Sequence, residues 1–326
     1  MKSSKPETSK GGNTRNPQKG TRPNPRLIVI TGPTGVGKTD LVIRLAEMYD
    51  GEVISADSMQ IYRYMDIGTA KPSPEERLRT PHHLIDVVNP DEEFNASMFL
   101  KKADEAIALL HSRHKSVFVV GGTGLYLNAL LGGLLNAPGA DGKLRDSYRK
   151  DAARYGKGHL YKRLKEIDAT AAEKIHPNDL VRTIRALEVM EHTGQSIAEI
   201  QGAHKFGNSV YDYIKVGLNI DRSLLYDRIN GRVEKMMEAG LVEEVERLMN
   251  MGYDESVRPM QSMTYRNVVS FIRGKQNKQD MVRLIKRDTR HYARRQLTWF
   301  KRDPDIKWFA PQDENMIGSA IENLYE

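Results

Sequence analysis

Three observations predict an α/β fold in which a parallel sheet covered by helices is interrupted by an all-α insertion. Short apolar runs at 26–31, 52–56, 84–88, 116–120 and 213–220 alternate with longer runs of helical period at 37–49, 95–114 and 123–135, the texture of strands joined by crossover helices. The first run leads directly into Gly32-Pro-Thr-Gly-Val-Gly-Lys-Thr39. Residues 141–203 then read as helices with no strand among them.

The glycine-rich segment is a phosphate cradle. Its G-x-x-x-x-G-K-T spacing turns backbone N–H groups from Gly32, Thr34, Gly35, Val36 and Gly37 toward one anion, while Lys38 brings a cation and Thr39 a hydroxyl for Mg²⁺. A helix opening at Gly37 adds its positive dipole end. The spacing alone leaves open whether the phosphate belongs to a nucleotide such as ATP or to another diphosphate. With the preceding strand and following helix it gives a P-loop NTPase-like sheet, whose ligands sit at the carboxyl edge.

The second strand ends in Ala56-Asp57-Ser58-Met59-Gln60-Ile61-Tyr62, which places an acid at the same edge as Lys38. Asp57 there serves either as a general base or as a magnesium ligand, and the residue itself does not decide between them. The fourth strand ends in Gly121-Gly-Thr-Gly-Leu-Tyr126, a second glycine turn opening a helix. His82 and His83, adjacent in a strand, point to opposite faces and so suit a structural role better than a metal site. His111 and His114 read as solvated.

Asn136-Ala-Pro-Gly139 breaks the chain. The expected division is a disordered basic tail at 1–25, a core at 26–138 and 206–326, and a helical insertion at 139–205. One insertion helix starts at Asn178/Asp179 and stops at Gly194, and Ser196-Ile-Ala-Glu199 resembles a capping box opening the next. Residues 222–250, 256–273 and 279–300 read as helices after the fifth strand.

The net charge of +7 is concentrated. Residues 1–26 carry +6 and residues 283–302 carry +7, leaving the remainder at −6. Arg283, Arg287, Arg290 and Arg294 share one face of the last helix, with Tyr292, Trp299 and Phe300 among them, which favours nucleic acid over a merely solvated face. Arg182/Arg185 and Arg228/Arg232 are spaced to clamp phosphate, or to pair with Glu188 and Glu234. The absence of cysteine excludes disulfides and Cys-ligated zinc, and no apolar stretch approaches membrane-spanning length. A cytoplasmic protein, monomeric and without a membrane partner, is expected.

Taken in order, these motifs resemble the bacterial tRNA dimethylallyltransferase (isopentenyltransferase) family from about Leu27 to Trp299. The resemblance also includes Asp66-Ile-Gly-Thr-Ala-Lys-Pro72, His82-His-Leu-Ile-Asp86, His176-Pro-Asn-Asp179, Arg185-Ala-Leu-Glu188 and Tyr292-Ala-Arg-Arg-Gln-Leu-Thr-Trp-Phe300. It implies transfer of a dimethylallyl group from dimethylallyl diphosphate to N6 of the adenosine 3′ of the anticodon, with Mg²⁺ assisting and no ATP hydrolysis. By match, Asp57 is the base, Thr123 lies near the reacting centre, and Ser58, Met59 and Gln60 touch the flipped nucleotide. Lys38 with Arg228 or Arg232 neutralises the diphosphate. Arg145, Arg182 and Arg185 lie on a tRNA-facing insertion, Gln261, Tyr265 and Arg266 on a corresponding loop, and Arg290 and Arg294 on the backbone-binding helix. The chain departs from the family at Met263-Thr264-Tyr265, where relatives carry Ile-Gly-Tyr. An adenylate isopentenyltransferase, a P-loop small-molecule kinase and an RNA-binding NTPase are the alternatives.

Overall fold

A computed structural model describes residues 25–135, 137–203 and 209–325. The basic tail up to residue 24 and the last two residues of the expected insertion lie outside them. The chain folds into two compact units, an α/β unit of residues 25–131 and 209–325, and a helical unit that begins at Gly132, ahead of the break read at Asn136–Gly139.

In chain order the elements are β1 (Arg26–Thr31), α1 (Lys38–Met48), β2 (Gly51–Ser55), α2 (Pro74–Arg79), β3 (His82–His83), α3 (Ala96–Ser112), β4 (Ser116–Gly121) and α4 (Gly124–Gly132). The helical unit supplies α5 (Gly142–Tyr155), α6 (Lys157–Ile167), α7 (Ala169–Lys174), α8 (Leu180–Thr193) and α9 (Ile197–Ala203). Then follow β5 (Asp212–Leu218), α10 (Arg222–Glu238), α11 (Leu241–Asn250), α12 (Met263–Ile272), α13 (Lys278–Phe300), β6 (Ile306–Phe309) and α14 (Glu314–Tyr325).

The six strands are parallel in the order β3-β2-β4-β1-β5-β6. β1 thus lies between β4 and β5, while the next strand in sequence is two places away. This change of direction opens a crevice at the carboxyl edge, where the loops after β1, β2 and β4 converge. Both faces of the sheet are covered, so its strands are continuously apolar rather than alternating. Leu27 and Val29 pack with Phe99, Ile107 and Leu130 on one side, Ile28 and Ile30 with Leu41, Leu45 and Ile229 on the other. Each such side chain contributes about 1.5–3 kcal/mol when fully buried, and Phe99 stacks on Tyr126 with centroids 4.3 Å apart.

The fold corrects several expectations. The strand read at 84–88 is β3 at His82–His83, because Leu84 and Asp86 take left-handed φ values of 63° and 57° that no strand accommodates. The run 222–250 is two helices, divided where Gly240 turns at φ 92°. The stretch Gln261–Arg266, read as a loop, is the end of a 3₁₀ turn leading into α12. No capping box forms at Ser196, whose hydroxyl accepts the Ala198 N–H at 3.1 Å. α2, β6 and α14 were not anticipated. In the helical unit, Asp179 caps α8 through the Arg182 N–H at 3.0 Å, and Gly194 closes it in a left-handed turn, as the sequence suggested.

Candidate active site

The cradle follows β1. Gly32 has φ 141°, and a Cβ there would stand 2.6 Å from the Leu218 carbonyl of the neighbouring strand, so no side chain fits. α1 opens at a left-handed Gly37 without a side-chain cap, and the first-turn N–H groups of a helix have no partner within it. They remain available to an anion. Lys38 arches back over the loop, its Nζ donating to the Gly32 and Pro33 carbonyls at 3.0 and 2.9 Å. Burial, helped by the Arg232 charge and opposed by Asp57, pushes the Lys38 amine down to about 8.

Two α10 arginines complete this side. Arg228 donates from Nη1 to the Val36 carbonyl at 3.0 Å, bracing the loop. Arg232 has no hydrogen bond or ion pair among the described residues; burial lowers its guanidinium pKa while the carboxylates of Asp57 and Asp40 raise it. It is the more available cation of the pair. Thr39 lines the same cleft.

Asp57 follows β2 and accepts the N–H groups of Met59 and Gln60 on Oδ1 at 2.8 and 3.4 Å, a local turn that fixes its carboxylate in the cleft. The β4–α4 turn lies against it: Thr123 donates its N–H to the Ala56 carbonyl at 3.3 Å and accepts the Ser58 N–H on Oγ1 at 3.1 Å. The Gln60 amide is committed to Ser55 at 3.0 Å and to the Ala70 carbonyl at 3.2 Å, so its side chain braces the wall.

The sequence reading missed the residue that joins these loops. Gln296 of α13 is buried, accepts the Thr34 N–H on Oε1 at 2.9 Å and donates from Nε2 to the Gly122 carbonyl at 3.0 Å. The Thr34 amide is therefore turned away from the anion that the spacing assigned to it. Tyr292 and Arg295, from the same helix, also line the cleft, whose volume is about 950 Å³. Burial, with the nearby Asp57, pushes the Tyr292 hydroxyl well above its usual range. A glutamine within a run of arginines gave no signal of its own.

The opposite wall is residues 68–72, supported from behind by Glu244. This buried carboxylate accepts the N–H groups of Asp66, Ile67 and Gly68 at 2.8, 2.7 and 3.0 Å and the Tyr265 hydroxyl at 2.7 Å. Tyr265 is wholly buried and cannot touch a nucleic acid, which corrects its assignment. Thr264, standing where relatives carry glycine, lines the cleft from the first turn of α12. Arg266 pairs with Asp288 at 2.8 Å, and Gln261 donates to the Glu255 carbonyl at 2.9 Å. The Asp66–Pro72 and His82–Asp86 motifs meet in an ion cluster: Lys71 Nζ bonds Asp66 at 2.7 Å and Asp86 at 2.6 Å, and Arg77 bonds Asp86 at 2.8 Å.

The adjacent pair His82 and His83 is structural. His82 Nδ1 pairs with the Thr80 carbonyl at 2.7 Å, and His83 Nε2 with Glu52 at 2.6 Å. His111, read as solvated, is instead partly buried with Nε2 on the Arg26 carbonyl at 3.2 Å. Among the described residues no three histidine or carboxylate side chains gather around a possible metal position.

The cations divide by environment. Arg290 is held by Asn230 at 2.6 Å and lies over the Tyr226 ring. Arg294 is exposed, and with Arg295, Arg302 and the partly exposed Trp299 it lines a basic groove of about 430 Å³. In the helical unit Arg145 grips fully buried Glu188 by two bonds of 2.8 Å, and Arg185 bonds Glu188 and the Pro138 carbonyl. Arg185 thus takes the ion-pairing alternative with Glu188, and Arg145, expected only to face tRNA, joins it on the same carboxylate. Arg182 is exposed, 3.5 Å from Asp179. No described helix is long and apolar enough to cross a membrane.

Comparison with known proteins gives a consistent picture. The IPP transferase family model matches residues 60–303, and the isopentenyl transferase model residues 25–90. The tRNA dimethylallyltransferase 2 of Syntrophus aciditrophicus is 53% identical over 298 residues, covering 91% of this chain and 96% of that protein. The tRNA dimethylallyltransferase of Geobacter sulfurreducens is 47% identical, covering 87% and 91%. Among solved structures, the tRNA isopentenylpyrophosphate transferase of Bacillus halodurans superposes with a TM-score of 0.68 at 37% identity, covering 92% and 98%. A eukaryotic dimethylallyltransferase acting on tRNA gives 0.75 at 30%, covering 88% and 74%.

Proposed function

The chain belongs to the tRNA dimethylallyltransferase family, and from that premise we propose that it transfers a dimethylallyl group from dimethylallyl diphosphate to N6 of the adenosine 3′ of the tRNA anticodon. The observation that carries this reading is the convergence of the cradle, Asp57 and the Gly121–Gly122 turn on one cleft that the basic helix α13 also lines.

In this mechanism the N6 lone pair forms a bond to C1 of the allyl group while the C1–O bond breaks and its electron pair leaves on diphosphate. The N6 proton passes to Asp57. An aromatic amine is a weak nucleophile, so charge stabilisation on the leaving group dominates. Lys38, Arg232 and the first-turn amides of α1 supply it where the charge develops. A positioned base typically adds 10²–10⁴-fold. The adenine must leave its stack at a cost of a few kcal/mol, offset by backbone contacts such as those offered by Arg294. An unpaired anticodon loop is the accessible target.

Mg²⁺ is the metal this site suits. In phosphate sites it binds through one or two protein oxygens plus the phosphates themselves, and Thr39 in the cleft offers such an oxygen. When bound it neutralises departing diphosphate charge. The enzyme is read as a cytoplasmic monomer, the second point being open to sedimentation.

Incubation with labelled dimethylallyl diphosphate, ATP, AMP and unmodified tRNA, followed by mass spectrometry, tests the reading. Prenylated tRNA is expected. Prenylated AMP would indicate a cytokinin-type enzyme, and ADP as the sole product would overturn the assignment.

A further inference from the structure

Gln296 is 6% exposed; beside the nearby Tyr292 hydroxyl, its amide makes two hydrogen bonds to backbone, each to a peptide unit whose other end is also engaged. The first is the Pro33–Thr34 peptide. Its N–H goes to Gln296 Oε1 at 2.9 Å, and its carbonyl accepts Lys38 Nζ at 2.9 Å. The second is the Gly122–Thr123 peptide. Its carbonyl accepts Gln296 Nε2 at 3.0 Å, and its N–H goes to the Ala56 carbonyl at 3.3 Å, immediately before Asp57.

A peptide unit is planar, so fixing one end orients the other. One side chain thereby sets the carbonyl that receives the lysine ammonium and the backbone from which the aspartate projects. The fit is close: a Cβ on Gly122 would lie 2.0 Å from Gln296 Nε2, and a Cβ on Gly124 2.1 Å from Trp299 Nε1 one turn further along the helix. A side chain at Gly124 would collide with the Trp299 ring, and one at Gly122 would displace the Gln296 amide from its bond. Glutamine is the residue suited to this bridge, since it accepts from one peptide and donates to the other.

We propose that Gln296 is a positioning residue that holds Lys38 and Asp57 in register with each other across the cleft, without touching either substrate. This rests on the transferase reading, in which Lys38 meets the leaving diphosphate and Asp57 the adenine amine.

The test uses the full-length enzyme after wild-type prenylation of tRNA has been established by mass spectrometry, so that failure of the transferase reading shows first and separately. Gln296→Met keeps length and volume and removes both hydrogen bonds. It is expected to lower kcat about 10²-fold, the scale of a misplacement of about 1 Å, with KM for tRNA within about threefold. In a cycle with Lys38→Ala, the two losses should combine to clearly less than their product, because part of the effect of Gln296 runs through Lys38 and only the Asp57 part survives its removal. Gln296→Glu, which retains the acceptor toward Thr34 and loses the donor toward Gly122, should keep donor affinity near wild type while kcat falls. A Gln296→Met enzyme with wild-type kcat, or losses that multiply with those of Lys38→Ala, overturns the proposal. If Gln296→Met does not fold, the Glu variant decides: loss of donor affinity and kcat in equal measure also overturns it.

Discussion

Tyr265 donates its hydroxyl to Glu244 at 2.7 Å from a position with no solvent exposure. The same carboxylate receives three consecutive backbone N–H groups of the cleft wall. Four donors on one buried anion make an arrangement that is costly to break from either side. Removing the carboxylate strands all four donors, whereas removing the hydroxyl leaves three bonds intact. Glu244→Ala should therefore destabilise the α/β unit by several kcal/mol, at about 1–3 kcal/mol for each donor left unsatisfied, and Tyr265→Phe by about 1–2 kcal/mol. Urea midpoints at constant slope measure both. Equal effects would mean that the tyrosine acts through packing rather than through this bond.

Asp57→Asn should lower kcat by at least 10²-fold while tRNA affinity stays near wild type. Asparagine keeps an Oδ1 acceptor for the Met59 and Gln60 amides, now at 2.8 and 3.4 Å, so the turn survives and only the base is lost. Single-turnover rates alongside filter binding separate the two quantities. A large loss of affinity would identify Asp57 as a binding residue instead.

Lys38 gives donor binding a pH dependence of definite sign. Its amine in the empty protein is depressed to about 8, chiefly by burial, and a bound diphosphate favours the ammonium, raising that value. Donor affinity should then be level below about pH 8 and fall above it, by up to tenfold per pH unit. Lys38→Arg, whose guanidinium stays charged, should remove the dependence. Calorimetric titration on either side of pH 8 reads this directly, and a lysine enzyme with level affinity on both sides would show that the cation is not felt by the donor.

What the sequence made legible was local. The cradle, Asp57 and Gly121–Tyr126 were readable because turn chemistry and strand ends are written in consecutive residues. Their meeting in one cleft follows from strand order, with β4 and β5 beside β1. Gln296, Glu244 and the Lys71–Asp86 cluster were not readable. Gln296 and Glu244 bond partners distant in the chain, 262 residues in the case of Gln296 and Thr34, while Lys71 and Asp86 stand in recognised motifs whose residues gave no sign that the two would pair. Tyr265 and Arg145 stand where the resemblance implies RNA contact, yet the bonds they make to buried Glu244 and Glu188 give them structural work, a distinction that only packing reveals. β6 is four residues long and carries too little periodicity to be found.

The helical unit should show its own acid sensitivity. Burial alone would raise the Glu188 carboxyl, but hydrogen bonds from Arg145, the Asp141 N–H and Arg185 hold it below the usual range. A depressed folded value means stability that is present above the unfolded pKa of about 4.3 and lost as pH falls through the folded one. Arg145→Ala should weaken that hold, cost about 1–3 kcal/mol, and move the onset of acid unfolding to higher pH. Proteolysis within residues 142–203 as a function of pH reports it. An unchanged onset would show that Arg185 alone suffices.

Arg290 and Arg294 lie four residues apart on α13 but should behave differently toward tRNA. Arg290 is tied to Asn230 at 2.6 Å and stacked over Tyr226, so swinging out to a phosphate would forfeit both contacts. The exposed guanidinium of Arg294 makes no hydrogen bond or ion pair among the described residues. It can neutralise a phosphate at no such cost. Counterion release makes log K fall with log salt by about 0.9 per duplex phosphate contact and about 0.7 in single strands. Arg294→Ala should thus weaken tRNA binding and flatten the salt slope by a little under one, equally for every tRNA sequence. Arg290→Ala should instead lower thermal stability and leave the slope nearly unchanged. Equal slope changes in the two variants would mean that Arg290 releases its partners when RNA arrives, and no change in either would reduce the basic helix to a solvated face.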